Sequence, residues 1–375
     1  MPDRPRLLLL IPHLGGGGAE RVFDLIARQL PTEKYEIHVG LVTQACPVME
    51  TLPASVMVHA IGAARVRSAG LALIRVVRQI RPALILSTMA HLNFLVLALR
   101  PMFPRGTRIL VRQNGTASAM LKDLRCPAWT RTLYQVLYPR ADRVLCQSLA
   151  MAQDLLEFSR VSEERIALVP NPVDLSSIRR LAISPHSEWN GPGPHLLAVG
   201  RLRHEKGFDT LLNAFRAVRD QIYSADLTIA GDGPEEARLK QLCRSLALEG
   251  DVRFTGYVPA PSRYFPGASL FVLPSRHEGM PNALLEAAAG GLPIVTTPAC
   301  EGLVELLHGD GGSWVAEGAD EHSLAQTLIA ALTELQPGQR FPHPWVEQFS
   351  LENALAAYQV VIDDALGIVP EMAFA

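Results

Sequence analysis

The sequence predicts two consecutive α/β domains, each a doubly wound parallel sheet covered by helices on both faces. Three observations predict it. Short continuous apolar runs, the mark of strands buried on both sides, alternate with segments of helical periodicity. The alternation breaks over residues 183–194, a stretch rich in Ser, Gly and Pro, and then restarts. The length of 375 residues suits two domains better than one.

In chain order, residues 6–11 read as the first strand, 15–18 as a glycine loop, and 20–30 as a helix with Val22, Leu25, Ile26 and Leu30 on one face. Residues 36–42 are the next strand and 71–80 a helix; strands follow at 83–87, 109–112 and 143–146. The charge-free stretch 83–99 contains Ser87, Thr88, His91 and Asn93. It falls short of the roughly 20 apolar residues a spanning helix needs and reads as a buried strand followed by a helix. After the break, strands are expected at 196–200, 227–230, 252–254, 270–273, 294–296 and 314–316, and helices at 208–219, 234–246, 283–289 and 323–335. Pro234 is placed at a first helical position, with Glu235 and Glu236 facing the positive end of the dipole. The expected division is therefore a domain over 1–183, a linker over 184–194 and a domain over 195–349. A helix over about 350–366 is expected to pack back on the first domain.

Hydrophobic residues at 48% and charged residues at 19% permit a large core and exclude wholesale disorder. The net charge of −2 hides an asymmetry: residues 1–185 carry 23 Lys+Arg and 13 Asp+Glu, and residues 186–375 carry 12 and 24. Opposite signs suggest domains with different ligands. Cys46, Cys126, Cys146, Cys243 and Cys300 show no metal or redox spacing, and their odd number argues against a disulfide framework. The apolar run 7–11 is too short for a signal segment. A cytoplasmic protein, peripheral at the inner face of a membrane, is the expectation.

Arg75, Arg78 and Arg81 form a basic stripe at helical spacing. Arg105, Arg108, Arg112, Lys122, Arg125, Arg131, Arg140 and Arg143 add charge, with Trp129, Tyr134 and Tyr138 interleaved. This suits an anionic membrane surface or a lipid-diphosphate acceptor, or else a solvated face over a core helix. No helix-turn-helix, zinc or RNA-recognition pattern occurs, and 6% aromatic content disfavours base stacking, so no nucleic-acid partner is expected.

Ligands of open α/β sheets bind beyond the carboxyl ends of the strands. There the loop 200–207 carries Arg201 and Lys206 ahead of a helix start. Two cations beside helix-start amides suit a diphosphate, although such a loop can also be merely solvated. The loop 274–282 places Glu278 before a helix and Glu286 inside it, eight positions later. Eight helical residues rise roughly 12 Å, so the two carboxylates can hold hydroxyls at the two ends of one elongated ligand. Gly279 allows close backbone approach, and Pro281 leaves neighbouring amides exposed. Glu286, set in an Ala-rich run, is costly to bury without partners.

The spacing Gly200-Arg201-Leu202, Lys206-Gly207 and Glu278 to Glu286 resembles the retaining glycosyltransferases of family 4. Gly16-Gly17-Gly18-Ala19-Glu20-Arg21, Val169-Pro170-Asn171-Pro172-Val173-Asp174, Gly231-Asp232-Gly233-Pro234 and Thr255-Gly256-Tyr257-Val258 extend the match in family order over about 10–310. The resemblance implies a GT-B architecture, two Rossmann-like domains facing across a cleft. By position it implies that Arg201 and Lys206 hold the diphosphate of a nucleotide sugar and that Glu278 binds sugar hydroxyls. Gly279, Met280, Pro281, Asn282 and Ala283 would line the sugar and phosphate site, and Glu286 would hold the ribose. Gly256, Tyr257 and Val258 would meet the base, and Gly16, Gly17 and Gly18 would approach the donor from the first domain. Where many relatives carry a His, this chain offers Gln113 or Asn114, which hydrogen-bond but do not titrate. His13 reads as a loop-capping residue.

The family implies retention of configuration by front-face attack, with no protein nucleophile, no metal and no cofactor. A nucleotide diphosphate sugar, with UDP favoured, is a co-substrate, and the acceptor is a glycan or lipid-linked molecule of bacterial-type surface polysaccharide assembly. The alternatives are a GT-B epimerase or phosphorylase, or a nucleotide-sugar-binding subunit that needs a partner.

Overall fold

A computed structural model describes residues 4–15, 17–43, 52–118, 127–184, 188–299 and 301–368. The chain forms two compact units, one of Met1–Pro172 with Leu351–Ala375 and one of Val173–Ser350. The expected 184–194 linker falls inside the second unit, where Trp189 Nε1 donates to the Tyr264 carbonyl at 2.8 Å.

The first unit holds β1 (Arg6–Ile11), β2 (Glu36–Leu41), β3 (Met57–Ala60), β4 (Leu84–Thr88), β5 (Arg108–Arg112), β6 (Arg143–Cys146) and β7 (Ile166–Leu168). They pair in the order β3-β2-β1-β4-β5-β6-β7, all parallel. Successive side chains of a strand point to opposite faces. Leu8 and Leu10 of β1 therefore enter one core, with Leu73, Val77 and Val96, while Leu7, Leu9 and Ile11 enter another, with Phe23 and Ile26. This double burial produces the unbroken apolar run. The C-terminal helix Leu351–Leu366 adds Leu355, Tyr358 and Ile362 to the second of these cores. Its Asp363 accepts from Tyr35 Oη at 2.7 Å and from Lys34 Nζ at 2.5 Å.

The second unit holds β8 (His195–Val199), β9 (Asp226–Ala230), β10 (Val252–Phe254), β11 (Leu270–Leu273), β12 (Ile294–Thr296) and β13 (Ser313–Val315). Their order is β10-β9-β8-β11-β12-β13, again parallel. Leu196 and Ala198 face one core and Leu197 the other. The helix expected from Pro234 begins at Glu236, and the Glu235 amide ahead of it donates to the Leu202 carbonyl at 3.0 Å.

Candidate active site

In the second sheet the chain runs from β8 to β9 on one side and from β11 to β12 on the other. The loops after β8 and β11 therefore diverge at a topological switch point, where open sheets bind ligands. Both loops carry the charged residues singled out from the sequence.

Backbone contacts fix the β8 loop. Gly200 N donates to Ala230 O at 3.0 Å and Leu202 N to Asp232 O at 2.7 Å. Gly231 N donates to Gly256 O at 2.9 Å, which ties in the 255–258 turn. Gly207 has φ +65°, and a Cβ there would lie 2.0 Å from the Pro274 carbonyl oxygen. Only glycine lets the two loops touch at that point. Arg276 adds a clamp. Its Nη1 donates to His204 O at 2.7 Å and to Asp209 Oδ1 at 2.8 Å, and its Nη2 to Thr210 Oγ1 at 3.0 Å. Burial alone would raise the pKa of Asp209, but hydrogen bonds from Arg276 and Arg238 outweigh it and hold the carboxyl at about 2.

Lys206 Nζ lies 2.5 Å from Glu278 Oε1 and joins the loops across the switch point. The fully buried Ser275 donates its hydroxyl to the same oxygen at 2.7 Å. Thr297 Oγ1 donates to the Ser275 carbonyl at 2.5 Å and steadies that residue. The Glu278 side chain is 8% exposed. Among the described residues its Oε2 accepts no hydrogen bond. Arg201 is half-buried and makes no ion pair among the described residues, so its charge is uncompensated. Glu286 is buried within the helix Asn282–Ala289. That helix begins four residues after Glu278, so the 12 Å rise expected for eight helical residues does not apply.

In the first sheet the switch point lies between β1 and β4. Beside it, at the end of β5, stand Gln113 and Asn114. Gln113 is 3% exposed and its amide is consumed by the core: Nε2 donates to Tyr134 Oη at 3.0 Å and to Gly115 O at 2.9 Å, and Oε1 accepts from Tyr138 Oη at 2.8 Å. Asn114 is exposed. Its Oδ1 accepts from Thr88 Oγ1 at 3.0 Å and from the buried Arg112 guanidinium. A guanidinium cannot accept, so the atom facing it is the oxygen, and the Asn114 NH₂ points the other way.

Residues 16–177 match the family described as Glycosyltransferase Family 4, and residues 193–334 match Glycosyl transferases group 1. The chain belongs to the family 4 glycosyltransferases. It is 28% identical over 243 residues to the N-acetylgalactosamine-N,N'-diacetylbacillosaminyl-diphospho-undecaprenol 4-alpha-N-acetylgalactosaminyltransferase of Campylobacter jejuni, covering 64% of this chain and 65% of that one. It is 32% identical over 218 residues to a putative colanic acid biosynthesis glycosyltransferase of Escherichia coli, covering 56% and 52%. The matched segments span 45–65% of the lengths of four curated relatives. Anabaena HepE, solved with UDP and glucose, shares the fold with a TM-score of 0.78 at 17% identity over 96% of this chain and 100% of that one. The expected GT-B pair of Rossmann-like sheets is thus the observed class.

In this family 4 chain the structure assembles Arg201, Lys206 and Glu278 at one switch point and adds Ser275, which sequence reasoning missed. Gly279, Met280, Pro281, Asn282 and Ala283 lead into the buried helix start, and Tyr257 is exposed beside Gly256 and the partly buried Val258. Gly17 and Gly18 open the helix Gly18–Gln29; Gly16 lies outside the described residues. Gln113 is corrected from a site residue to a core residue, because its amide is saturated. The interleaved aromatics are corrected likewise: Tyr134 and Tyr138 are fully buried in the core, and only Trp129 is exposed. Arg112 is buried, Arg108 pairs with Asp142 and Arg143 with Asp364; Lys122 and Arg125 lie outside the described residues. Arg75, Arg78 and Arg81 are exposed. Among the described residues no helix is long and apolar enough to cross a membrane.

Proposed function

We propose that this glycosyltransferase moves a sugar, with retention of configuration, from a nucleotide diphosphate sugar to a glycan or lipid-linked acceptor in surface polysaccharide assembly. A uridine donor is favoured. The observation that carries the reading is the Lys206–Glu278 pair across the second switch point, with Arg201 uncompensated on the same loop. Glu278 Oε2 receives a sugar hydroxyl. Lys206 has three donors, so it can keep Glu278 and add a phosphate oxygen. When the sugar–phosphate bond breaks, negative charge grows on the diphosphate and the sugar becomes oxocarbenium-like. Arg201 and Lys206 are placed before that charge develops and stabilise it without reorganisation. Glu278 is held by a lysine and a serine and acts as a binding group, not a nucleophile. Glu286 takes the ribose, and Gly256, Tyr257 and Val258 the base. The relatives named for lipid-linked and polysaccharide substrates support the acceptor class.

The test is incubation of the purified chain with UDP-, GDP- and ADP-sugars and polyprenyl-diphosphate-linked oligosaccharides, with the product's anomeric configuration read by NMR. Transfer with retention is expected. Inversion, or donor isomerised without transfer, refutes the reading.

A further inference from the structure

The first switch point holds a cluster that the donor chemistry does not use. The loop after β1 is pinned by Thr43, whose amide donates to Pro12 O at 2.9 Å and whose hydroxyl donates there at 3.1 Å. His13 follows directly. Its ring lies back over Gly15, where a Cβ would come within 2.7 Å of Nδ1. The same Nδ1 faces Glu20 Oε1 at 3.7 Å. Glu20 sits in the first turn of the Gly18–Gln29 helix and is 4% exposed, yet among the described residues it accepts no hydrogen bond. A buried carboxylate without a full partner is costly, and the positive end of the helix dipole offsets only part of that cost. With Nδ1 turned inward, Nε2 is on the ring edge turned away from Glu20. His91 opens the neighbouring helix Ala90–Leu99 after β4. Partial desolvation, and then the nearby His13, hold its pKa below the ordinary histidine value.

We propose that His13, backed by Glu20, is the imidazole that binds a hydroxyl of the acceptor at the switch point of the first sheet. A carboxylate behind one ring nitrogen selects the tautomer with the proton on Nδ1, which makes Nε2 a hydrogen-bond acceptor. A sugar hydroxyl supplies the proton for that bond. The 3.7 Å separation closes to a hydrogen bond when ligand fills the site, as free sites commonly tighten on binding. The cations suited to a diphosphate stand in the second unit; an imidazole backed by a carboxylate suits a neutral hydroxyl instead. We assign that hydroxyl to the acceptor, although the adjoining glycine loop is expected to approach the donor. His13 takes no proton in this role. It orients the hydroxyl.

This inference rests on the glycosyltransferase reading, and the experiment separates the two. The probes are the donor that the wild type turns over and an undecaprenyl-diphosphate-linked oligosaccharide. His13→Ala should raise the acceptor KM about tenfold, the equivalent of one lost hydrogen bond. Donor Kd and donor hydrolysis without acceptor should stay within about twofold of wild type. His13→Asn should recover part of the loss, because an amide still bonds a hydroxyl. Glu20→Gln should raise the acceptor KM about threefold, and His13→Ala with Glu20→Gln should be no worse than His13→Ala alone, because Glu20 acts through His13. An unchanged acceptor KM, an equal loss of donor affinity, or additive losses in the double variant overturns the inference alone. A wild type that transfers nothing overturns the reading and the inference together.

Discussion

Ser275→Ala tests whether Glu278 is held ready before the donor arrives. Ser275 is fully buried, and its hydroxyl is one of two donors on Glu278 Oε1, at 2.7 Å beside Lys206 at 2.5 Å. A hydrogen bond to a charged group is worth about 1.5–3 kcal/mol, and Lys206 remains, so the lower end applies. The unfolding midpoint of the second unit should fall by about 3–6 °C at 2–4 °C per kcal/mol. A carboxylate freed to change rotamer must be re-ordered when the sugar binds, and 1.4 kcal/mol is a factor of ten in affinity. Calorimetric titration should therefore show the intact UDP-sugar binding about tenfold more weakly, while free UDP, which lacks the sugar, binds within about twofold of wild type. A structural role alone would lower the melting point and leave the ratio of the two affinities unchanged. That ratio is the discriminating quantity, and its constancy would refute the reasoning.

Arg201→Ala should lower turnover by about tenfold or more with little change in melting, because Arg201 makes no ion pair among the described residues. Lys206→Ala should lower both, since it strips Glu278 of its cation. Glu286→Gln should weaken free-nucleotide binding and Glu278→Gln should spare it while impairing sugar transfer; equal losses of free-nucleotide affinity would contradict the division. Asp209 has its pKa lowered from 3.8 to about 2 by its arginines, so its contribution is full above pH 4 and lost as pH falls through 2. The acid-induced loss of stability between pH 4 and 2 should be smaller in Asp209→Asn by about 2 kcal/mol, measured by denaturant titration at each pH. Activity should survive EDTA, because in the proposed reading Arg201 and Lys206 take the place of a divalent ion at the leaving group; loss on chelation with recovery in Mn²⁺ or Mg²⁺ would overturn that assignment.

The interior strands were legible for one physical reason: a parallel strand covered on both faces needs no polar alternation. β3 and β7, short and only partly buried edge strands, were not expected, although β7 is an apolar run and the equally short edge strands β10 and β13 were expected. The site was legible only where one loop carries its own chemistry. Lys206 and Gly207 announce a cation and a tight backbone approach within two residues. The approach itself, Gly207 against Pro274, and the convergence of Lys206 and Ser275 on Glu278 depend on β8 and β11 being neighbours, a pairing across some 70 residues of chain. Gln113 and Asn114 show the limit most sharply. They differ by one methylene, sit side by side at a strand end, and face opposite ways. Composition offers no ground for choosing between them. The choice is made by groups distant in sequence: Tyr134 and Tyr138 draw Gln113 into the core, and Arg112, itself bonded to Tyr358 and Asn171, holds the Asn114 oxygen so that its amide hydrogens face outward. Among the described residues that buried guanidinium meets only neutral acceptors, an expensive way to orient one amide. That cost makes Asn114, and not Gln113, the first-unit amide to mutate when donor and acceptor affinities are compared.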